Sequence, residues 1–377
     1  MENKINYSTV IFCHKSHEGY IGGLSICDNH ILDALNLCFE RVLEFSFNKE
    51  PESGQGNFIS LIYPKIRRIT NHYDDNVYQE IVNHIDCPEK TIVFFSHSLY
   101  GFLIRRLKKN YPTVRISTFF HNEEYDFYLK IWKRSSKNLG KFVNLISYYI
   151  HEKLASLYSD DIIMLNKRDE TIFQKYFGKR ESCILPFTLP DRCKDIKIVH
   201  QTNRLKLLFV GTYFYGNVEG VKRFVTEVMP FVDADFYVVG NKMDQMKDEM
   251  PSMSNVYYIG RVTDEELDMY YRNSDILIAP IVEGGGMKTK VVEAIMYGCP
   301  VIGTKEAFEG FEEYLDLIGF RSDIISDYKQ YIDTFDTQRD LLYKMSTQAR
   351  HVYEEHFTNE ESVKILSSLY DKKLNVD

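Results

Sequence analysis

Along this chain the apolar residues fall into two arrangements that take turns. Short runs rich in Val, Ile and Phe alternate with longer stretches whose apolar positions recur every three to four residues. The short runs fit strands buried on both faces, and the longer period fits helices with one buried side. "STVIFCH" (8–14), "KTIVFFSH" (90–97), "VRISTFFHN" (114–122) and "DIIMLN" (161–166) predict strands. A loop with Gly19, Gly22 and Gly23 follows the first. Helices are predicted over 25–38, 101–111, 144–160 and 168–178, the last closed by Gly178. At "ILPFTLPDRCKD" (184–195) periodicity lapses around two prolines, which predicts a domain boundary. A second series follows, with strands at 205–212, 234–240, 255–262 and 274–282 and helices at 219–232 and from Thr263. Thr263 and Glu266 have the spacing of a capping box. The tail from about 340 is helical. Alternating strands and helices predict an α/β fold of two doubly wound, Rossmann-like domains. The expected domains are 1–190, 191–355, and a C-terminal helix over 356–377 that packs back toward the first. Ligands of such sheets bind outside the carboxyl ends of the strands, and two domains facing across a cleft would gather those ends.

One junction stands out chemically. "GGGMKTKVVEAIMYGCPVIGT" (284–304) runs from three glycines through two lysines into an apolar helix face, then to Gly298, Pro300 and a strand. The loop therefore opens at a helix N-terminus, where amide N–H groups lack partners and the dipole end is positive. Glycine lets the backbone come close to a ligand. The economical reading is a phosphate cradle with Lys288 and Lys290 as added charge. An ordinary βα turn with solvated lysines is the alternative. Met287 between Gly and Lys excludes a Walker A loop.

Composition narrows the class. The chain has 377 residues, 44% of them apolar, enough for two cored domains. Seven cysteines without a C-x-x-C spacing predict free or buried thiols in a reducing compartment. The apolar run at the N-terminus is too short for a signal peptide, and no stretch approaches the ~20 apolar residues that span a bilayer. A cytoplasmic protein is expected, with peripheral membrane contact left open. A net charge of −8 argues against nucleic acid as the main partner. Segment 105–141 runs the other way, with ten basic residues against Glu123, Glu124 and Asp126. Basic residues interleaved with Trp and Leu can mark contact with an anionic membrane, and a solvated helix face is the plainer reading.

Several stretches, in order along nearly the whole chain, carry a resemblance: "GYIGGLS", "TFFHNEEYDFY", "DDIIMLNKRDETIFQKYFG", "LLFVGTYFYGNVEGVKRF", "VYYIGRVTDEELDMYYRNSDILIAPI" and the 284–304 block. Together they resemble the group-1 (family 4) glycosyltransferases of GT-B fold, in a sub-branch with a GGGxKxK loop. The resemblance implies that the second domain binds a nucleotide-sugar. Glu293 would hold the ribose hydroxyls. Gly285, Gly286 and the amides near Thr289 would hold the diphosphate, with Lys288 and Lys290 neutralising the leaving group. Gly211 and Thr212 would line the donor site, and Arg261 and Val262 would lie against the base. His121 would contact the donor sugar near the reacting centre, with the Gly22–Gly23 loop over sugar and acceptor. Two departures are visible. Where many members have a first glutamate eight positions before Glu293, this chain has Gly285, and Glu283 is the candidate substitute. The loop after the second domain's first strand, "GTYFYGNVEG", has Thr212 and Glu219 where an Arg and a Lys are usual.

The implied reaction is retaining transfer of a hexose-type sugar from a nucleoside diphosphate-sugar to a hydroxyl of a glycan or lipid-linked acceptor, in surface polysaccharide biosynthesis, without metal or other cofactor. His14 and His17 have an H-x-x-H spacing, but two histidines make a weak metal site. Two other readings stay open: a nucleotide-sugar epimerase, and a catalytically silent GT-B subunit that binds a partner transferase or a glycan. A nicotinamide oxidoreductase is disfavoured, since no G-x-G-x-x-G follows the first strand.

Overall fold

The computed structural model describes residues 7–15, 23–47, 75–134, 139–178, 182–193, 204–284 and 286–371. Gly22 and Gly285 lie outside the described residues. The chain divides into two compact units: Met1–Pro186 with Ser362–Asp377, and Phe187–Glu361. The sequence places these boundaries after 190 and after 355.

The first unit holds β1 (Thr9–Lys15), β2 (Val42–Phe47), β3 (Thr91–Phe95), β4 (Arg115–Phe120), β5 (Asp161–Met164) and β6 (Cys183–Ile184). They form one sheet in the order β2-β1-β3-β4-β5-β6, and every pairing is parallel. Around it lie α1 (Gly23–Cys38), α2 (Asp75–Val82), α3 (Gly101–Asn110), α4 (Glu124–Arg134), α5 (Leu139–Tyr158) and α6 (Lys167–Phe177). Strands β1, β3, β4 and β5 are buried on both faces, as parallel strands between helical layers must be. Ile11, Val93, Phe95, Ile116 and Ile162 meet Leu103, Leu107 and Phe173 in one cluster. Each such side chain contributes about 1.5–3 kcal/mol by leaving water.

The second unit holds β7 (Leu205–Val210), α7 (Tyr215–Glu227), β8 (Ala234–Val239), β9 (Val256–Ile259), α8 (Asp264–Asn273), β10 (Ile276–Ala279), α9 (Thr289–Met296), β11 (Val301–Gly303), α10 (Leu315–Ile318), β12 (Gly319–Arg321), α11 (Tyr328–Thr337) and α12 (Arg339–His356). The sheet order is β12-β11-β10-β7-β8-β9, all parallel. Counted within the unit this is the doubly wound order in which the chain reverses direction between its first and fourth strands. The crevice outside the carboxyl ends of β7 and β10 is therefore where a ligand is expected. Thr263 and Glu266 make the reciprocal bonds of a capping box at the start of α8, at 2.8 and 3.2 Å. A last helix, α13 (Asn359–Asp371), begins in the second unit and ends in the first.

Helix α7 starts at Tyr215 rather than at 219. Gly216 and Gly220 are poor helix formers and hide its first turn from a periodicity search. Packing explains them. A Cβ on Gly220 would stand 1.5 Å from the Pro280 carbonyl oxygen, and one on Gly216 would stand 2.1 Å from that of Glu283. The missing side chains let α7 lie backbone to backbone against the segment after β10.

The basic stretch is more internally paired than its composition suggested. Arg115 is buried, and its guanidinium donates twice to Asp161 at 2.8 Å. Lys108 donates to Asp160 at 2.7 Å, Lys130 pairs with Asp126 at 2.6 Å, and Arg106 pairs with Asp75. Among the described helices none is long and apolar enough to cross a membrane. All seven cysteines are free, and Cys13, Cys27, Cys193 and Cys299 are buried.

Candidate functional site

At the switch point of the second unit, two loops and two helix starts converge. Gly211 begins the loop after β7, and its N–H donates to the Val239 carbonyl oxygen at 3.0 Å. Thr212 is exposed, and its carbonyl accepts from Asn217 Nδ2 at 3.0 Å. On the other side, Gly286 takes φ +64°, a left-handed turn that glycine adopts without strain, and leads into α9. Thr289 is the first residue of α9. Lys288 at its N-cap is extended, with no side-chain cap on the first amides. Those N–H groups retain their capacity for an anion.

The two lysines of the loop part company. Lys290 turns inward across the switch point. Its ammonium lies 3.2 Å from Asn217 Oδ1 and 4.4 Å from the Phe209 ring centroid, and 2.9 Å from where a Cβ on Gly211 would sit. Burial, with a further push from Lys288, lowers its pKa to about 7. A buried ammonium with so little counter-charge is costly until an anion arrives. Lys288 is held by the Glu306 carboxylate at 2.8 Å, Glu309 at 3.5 Å and the Gly286 carbonyl at 2.6 Å. Its charge is thus engaged locally, unlike that of Lys290. The Glu283 backbone lies against α7 at Gly216.

Glu293 sits one turn into α9. One oxygen accepts from the Tyr271 hydroxyl at 2.8 Å, and the other is 3.5 Å from Arg192, which also reaches Asp268 at 3.3 Å. Tyr271 stacks on Tyr297, with centroids 5.5 Å apart and planes 5° from parallel. Burial raises the Glu293 pKa, while Tyr271, Arg192 and Lys290 oppose the rise. Arg261, exposed, and Val262, half-buried, follow β9 at the neighbouring strand end.

The first unit has its own polar cluster. Its sheet reverses between β1 and β3, and the residues at those strand ends meet α1, which Gly23 opens. His121, just past β4, is buried. Its Nε2 lies 2.9 Å from the Ser96 carbonyl oxygen, 3.1 Å from Asp28 Oδ1 and 3.2 Å from Ser96 Oγ. Ser96 Oγ–H also donates to Asp28. His97 stands 6.0 Å from His121, ring to ring, and burial holds its pKa down at about 3. Beyond His121 lie two buried carboxyls, Glu123 and Glu152, and the half-buried Glu124. Glu152 accepts from Ser98 Oγ and the amides of Glu124 and Tyr125, each at 3.0 Å. Neither Glu123 oxygen has a hydrogen-bond partner among the described residues. Desolvation raises both Glu123 and Glu152, with a further push on Glu123 from Glu152 and on Glu152 from Glu124, and burial lifts Glu124 to about 7. Among the described residues no group of three or more His, Cys, Asp or Glu side chains is arranged to hold a metal ion.

Asn217, Arg192, Tyr271, Asp28 and Ser96 are neighbours of the expected residues that the sequence did not single out. Asn217 alone had a local signal, a polar side chain in a glycine-flanked loop after a strand.

Residues 204–322, from the start of β7 to just past β12, match the family model of the glycosyl transferases group 1. A 44.6 kDa uncharacterized protein in the cps region of Klebsiella pneumoniae is 26% identical over 211 residues, 50% of this chain and 51% of that protein. The chain thus spans about half the length of that relative. An uncharacterized glycosyltransferase of Methanocaldococcus jannaschii is 21% identical over 304 residues, 75% of this chain and 74% of its own. Among solved structures, HepE of Anabaena in complex with UDP-glucose superposes with a TM-score of 0.68 at 12% identity, covering 97% of this chain and 100% of its own. With the two parallel sheets, that likeness shows the fold as two Rossmann-like domains of the GT-B class.

Proposed function

We propose that this chain is a retaining, metal-independent glycosyltransferase. It moves a hexose-type sugar from a nucleoside diphosphate-sugar to a hydroxyl of a glycan or lipid-linked acceptor. The observation that carries the reading is Lys290, a buried ammonium beside Gly211 and Asn217 at the end of an uncapped helix. A donor diphosphate there would accept from the first amides of α9 and meet the Lys290 charge. As the bond to the sugar breaks, charge builds on the phosphate oxygen, and a preorganised cation with helix-end amides stabilises it. The sugar becomes oxocarbenium-like, and the departing phosphate can take the acceptor's proton. Glu293 would exchange Arg192 or Tyr271 for the ribose hydroxyls. Lys288, held by Glu306 and Glu309, fixes the loop that presents those amides and adds its field to the site. Arg261 and Val262 would flank the base. His121 would meet the sugar.

The group-1 family match supports glycosyl transfer, and the relative from a cps region is in keeping with surface polysaccharide biosynthesis. The HepE complex makes UDP-glucose the first donor to try. Cytoplasmic placement with peripheral contact to an anionic membrane through 105–141 belongs to the same proposal. Lys133, Leu139 and Phe142 are exposed along that stretch. The engagement of Lys288 by two carboxylates favours a second reading, the catalytically silent subunit. Thermal shift with UDP, GDP, ADP, CMP and dTDP, followed by nucleotide release from the matching sugar donor with and without chelator, separates the two. Binding with turnover indifferent to chelator supports the enzyme. Binding without turnover across acceptors supports the silent subunit, and no binding at all removes the donor site.

A further inference from the structure

The partners of His121 crowd onto one nitrogen. Nε2 lies 2.9 Å from the backbone carbonyl oxygen of Ser96, an atom with no proton to give. That contact favours a hydrogen on Nε2. Asp28 Oδ1, at 3.1 Å, accepts from the same side. It also accepts from the Ser96 hydroxyl, and its second oxygen faces His14 Nδ1 at 4.0 Å. Phe119 closes the ring edge-on at 4.7 Å. Nδ1 makes no hydrogen bond with any described residue. Asp28 projects from α1, Ser96 follows β3 and His121 follows β4, so one carboxylate ties three elements at the switch point.

We infer that Asp28 is a positioning residue for His121: with Ser96 it holds the imidazole as the Nε2–H tautomer and leaves Nδ1 as a hydrogen-bond acceptor for a hydroxyl of the transferred sugar. The inference rests on the proposed contact between His121 and that sugar. A neutral ring with this tautomer takes a hydrogen bond and cannot give one at Nδ1. It therefore selects a sugar hydroxyl as donor, in a site where an unpaired polar group discriminates strongly. Without Asp28 the ring retains one acceptor at the Ser96 carbonyl but loses the carboxylate that favours a proton on Nε2.

The test uses the full-length protein labelled with 15N-histidine, with His121 assigned by the His121→Asn variant. The expected wild-type spectrum shows a protonated Nε2 and an unprotonated Nδ1. Asp28→Ala should mix the tautomers and lower turnover by at least about tenfold, toward the ~10⁴-fold scale seen when a catalytic imidazole is held in the wrong tautomer. The UDP-induced thermal shift should persist, since Asp28 lies in the other unit from the diphosphate loop. Asp28→Asn retains shape, so it reports on the charge if Asp28→Ala folds poorly. Unchanged 15N shifts and turnover in both variants would overturn the inference, as would a doubly protonated ring in the wild type. Full turnover in His121→Ala would instead remove the sugar contact, and the tautomer spectra of the Asp28 variants would still show whether Asp28 sets the ring.

Discussion

Lys290 Nζ lies 3.2 Å from Asn217 Oδ1, which ties the first turn of α9 to the first turn of α7. One cation thus serves two loops that are more than seventy residues apart in sequence, and the loop after β7 has no basic residue of its own. On the proposed reading, the charge that the resemblance assigns to that loop would come from across the switch point.

Lys290→Met preserves much of the volume and removes the charge. Turnover should fall by roughly 10²–10³, the scale of a lost preorganised charge partner. Melting temperature should hold or rise, because a buried, sparsely compensated ammonium disfavours the folded state. Turnover equal to wild type would take Lys290 out of the mechanism.

The same lysine makes binding depend on pH. Its folded pKa is about 7, below the ordinary 10.5. Between those values the unfolded chain binds a proton that the folded chain lacks, so stability should rise with pH across that window. Below it both states are protonated, and the penalty is fully present. A bound diphosphate draws the proton back. Calorimetry of nucleotide binding at about pH 8, in buffers of different ionisation enthalpy, should show proton uptake by wild type and none by Lys290→Met.

Glu293→Gln addresses the ribose. Wild type should prefer UDP to its 2′-deoxy form by about 10- to 100-fold if the carboxylate meets a ribose hydroxyl, and the variant should lose most of that preference. Equal loss for both nucleotides would assign Glu293 to the Tyr271–Arg192 network alone.

Lys288 should declare itself first in stability. Lys288→Ala leaves Glu309, 3% exposed, without its lysine. Breaking a largely buried pair costs about 3 kcal/mol. Pairing the change with Glu306→Gln in a double-mutant cycle should recover part of the loss. A melting temperature like wild type, with lost turnover, would assign the ammonium to the phosphates instead.

Glu123 predicts a slope of opposite sign. Burial and neighbouring carboxyls raise its folded pKa. Above the unfolded value of 4.5 the folded state retains a proton that the unfolded state has shed, so stability falls as pH rises toward the raised pKa. Glu123→Gln, neutral and of similar shape, should flatten that fall and raise the melting temperature at about pH 8. A steeper or unchanged slope would mean that Glu123 is ionised in the folded protein.

The sequence showed strands best where they are buried on both faces. β1, β3, β5 and β10 read as short apolar runs, β4, β7 and β8 as runs with a few polar positions, and their spacing with helices implied parallel sheets. The half-exposed β2 and the short β6 and β12 went unread, because their burial depends on neighbours supplied by the sheet. The loop around Lys288 and Lys290 was legible through its glycines and its helix. The opposite fates of the two lysines were not. Which one turns inward follows from the helix start and from Gly211, a contact between distant residues. Asp28 was hidden for the same reason: it is one polar position among several on an amphipathic helix, and only the pairing of β1 with β3 brings Ser96 to it.

Helix α13 completes the first unit. Arg115 donates to the Leu369 carbonyl at 3.0 Å, the Tyr370 hydroxyl bonds Ser117 Oγ at 3.0 Å, and the Cys38 thiol lies 3.6 Å from the Val363 carbonyl. A ribosome makes those residues only after the whole of the second unit. During synthesis the second unit can therefore close early, while the first waits with Arg115 and the Phe39 side of α1 uncovered. Chaperones that shield nascent chains should find their longest-lived target at the front of this protein rather than in its middle.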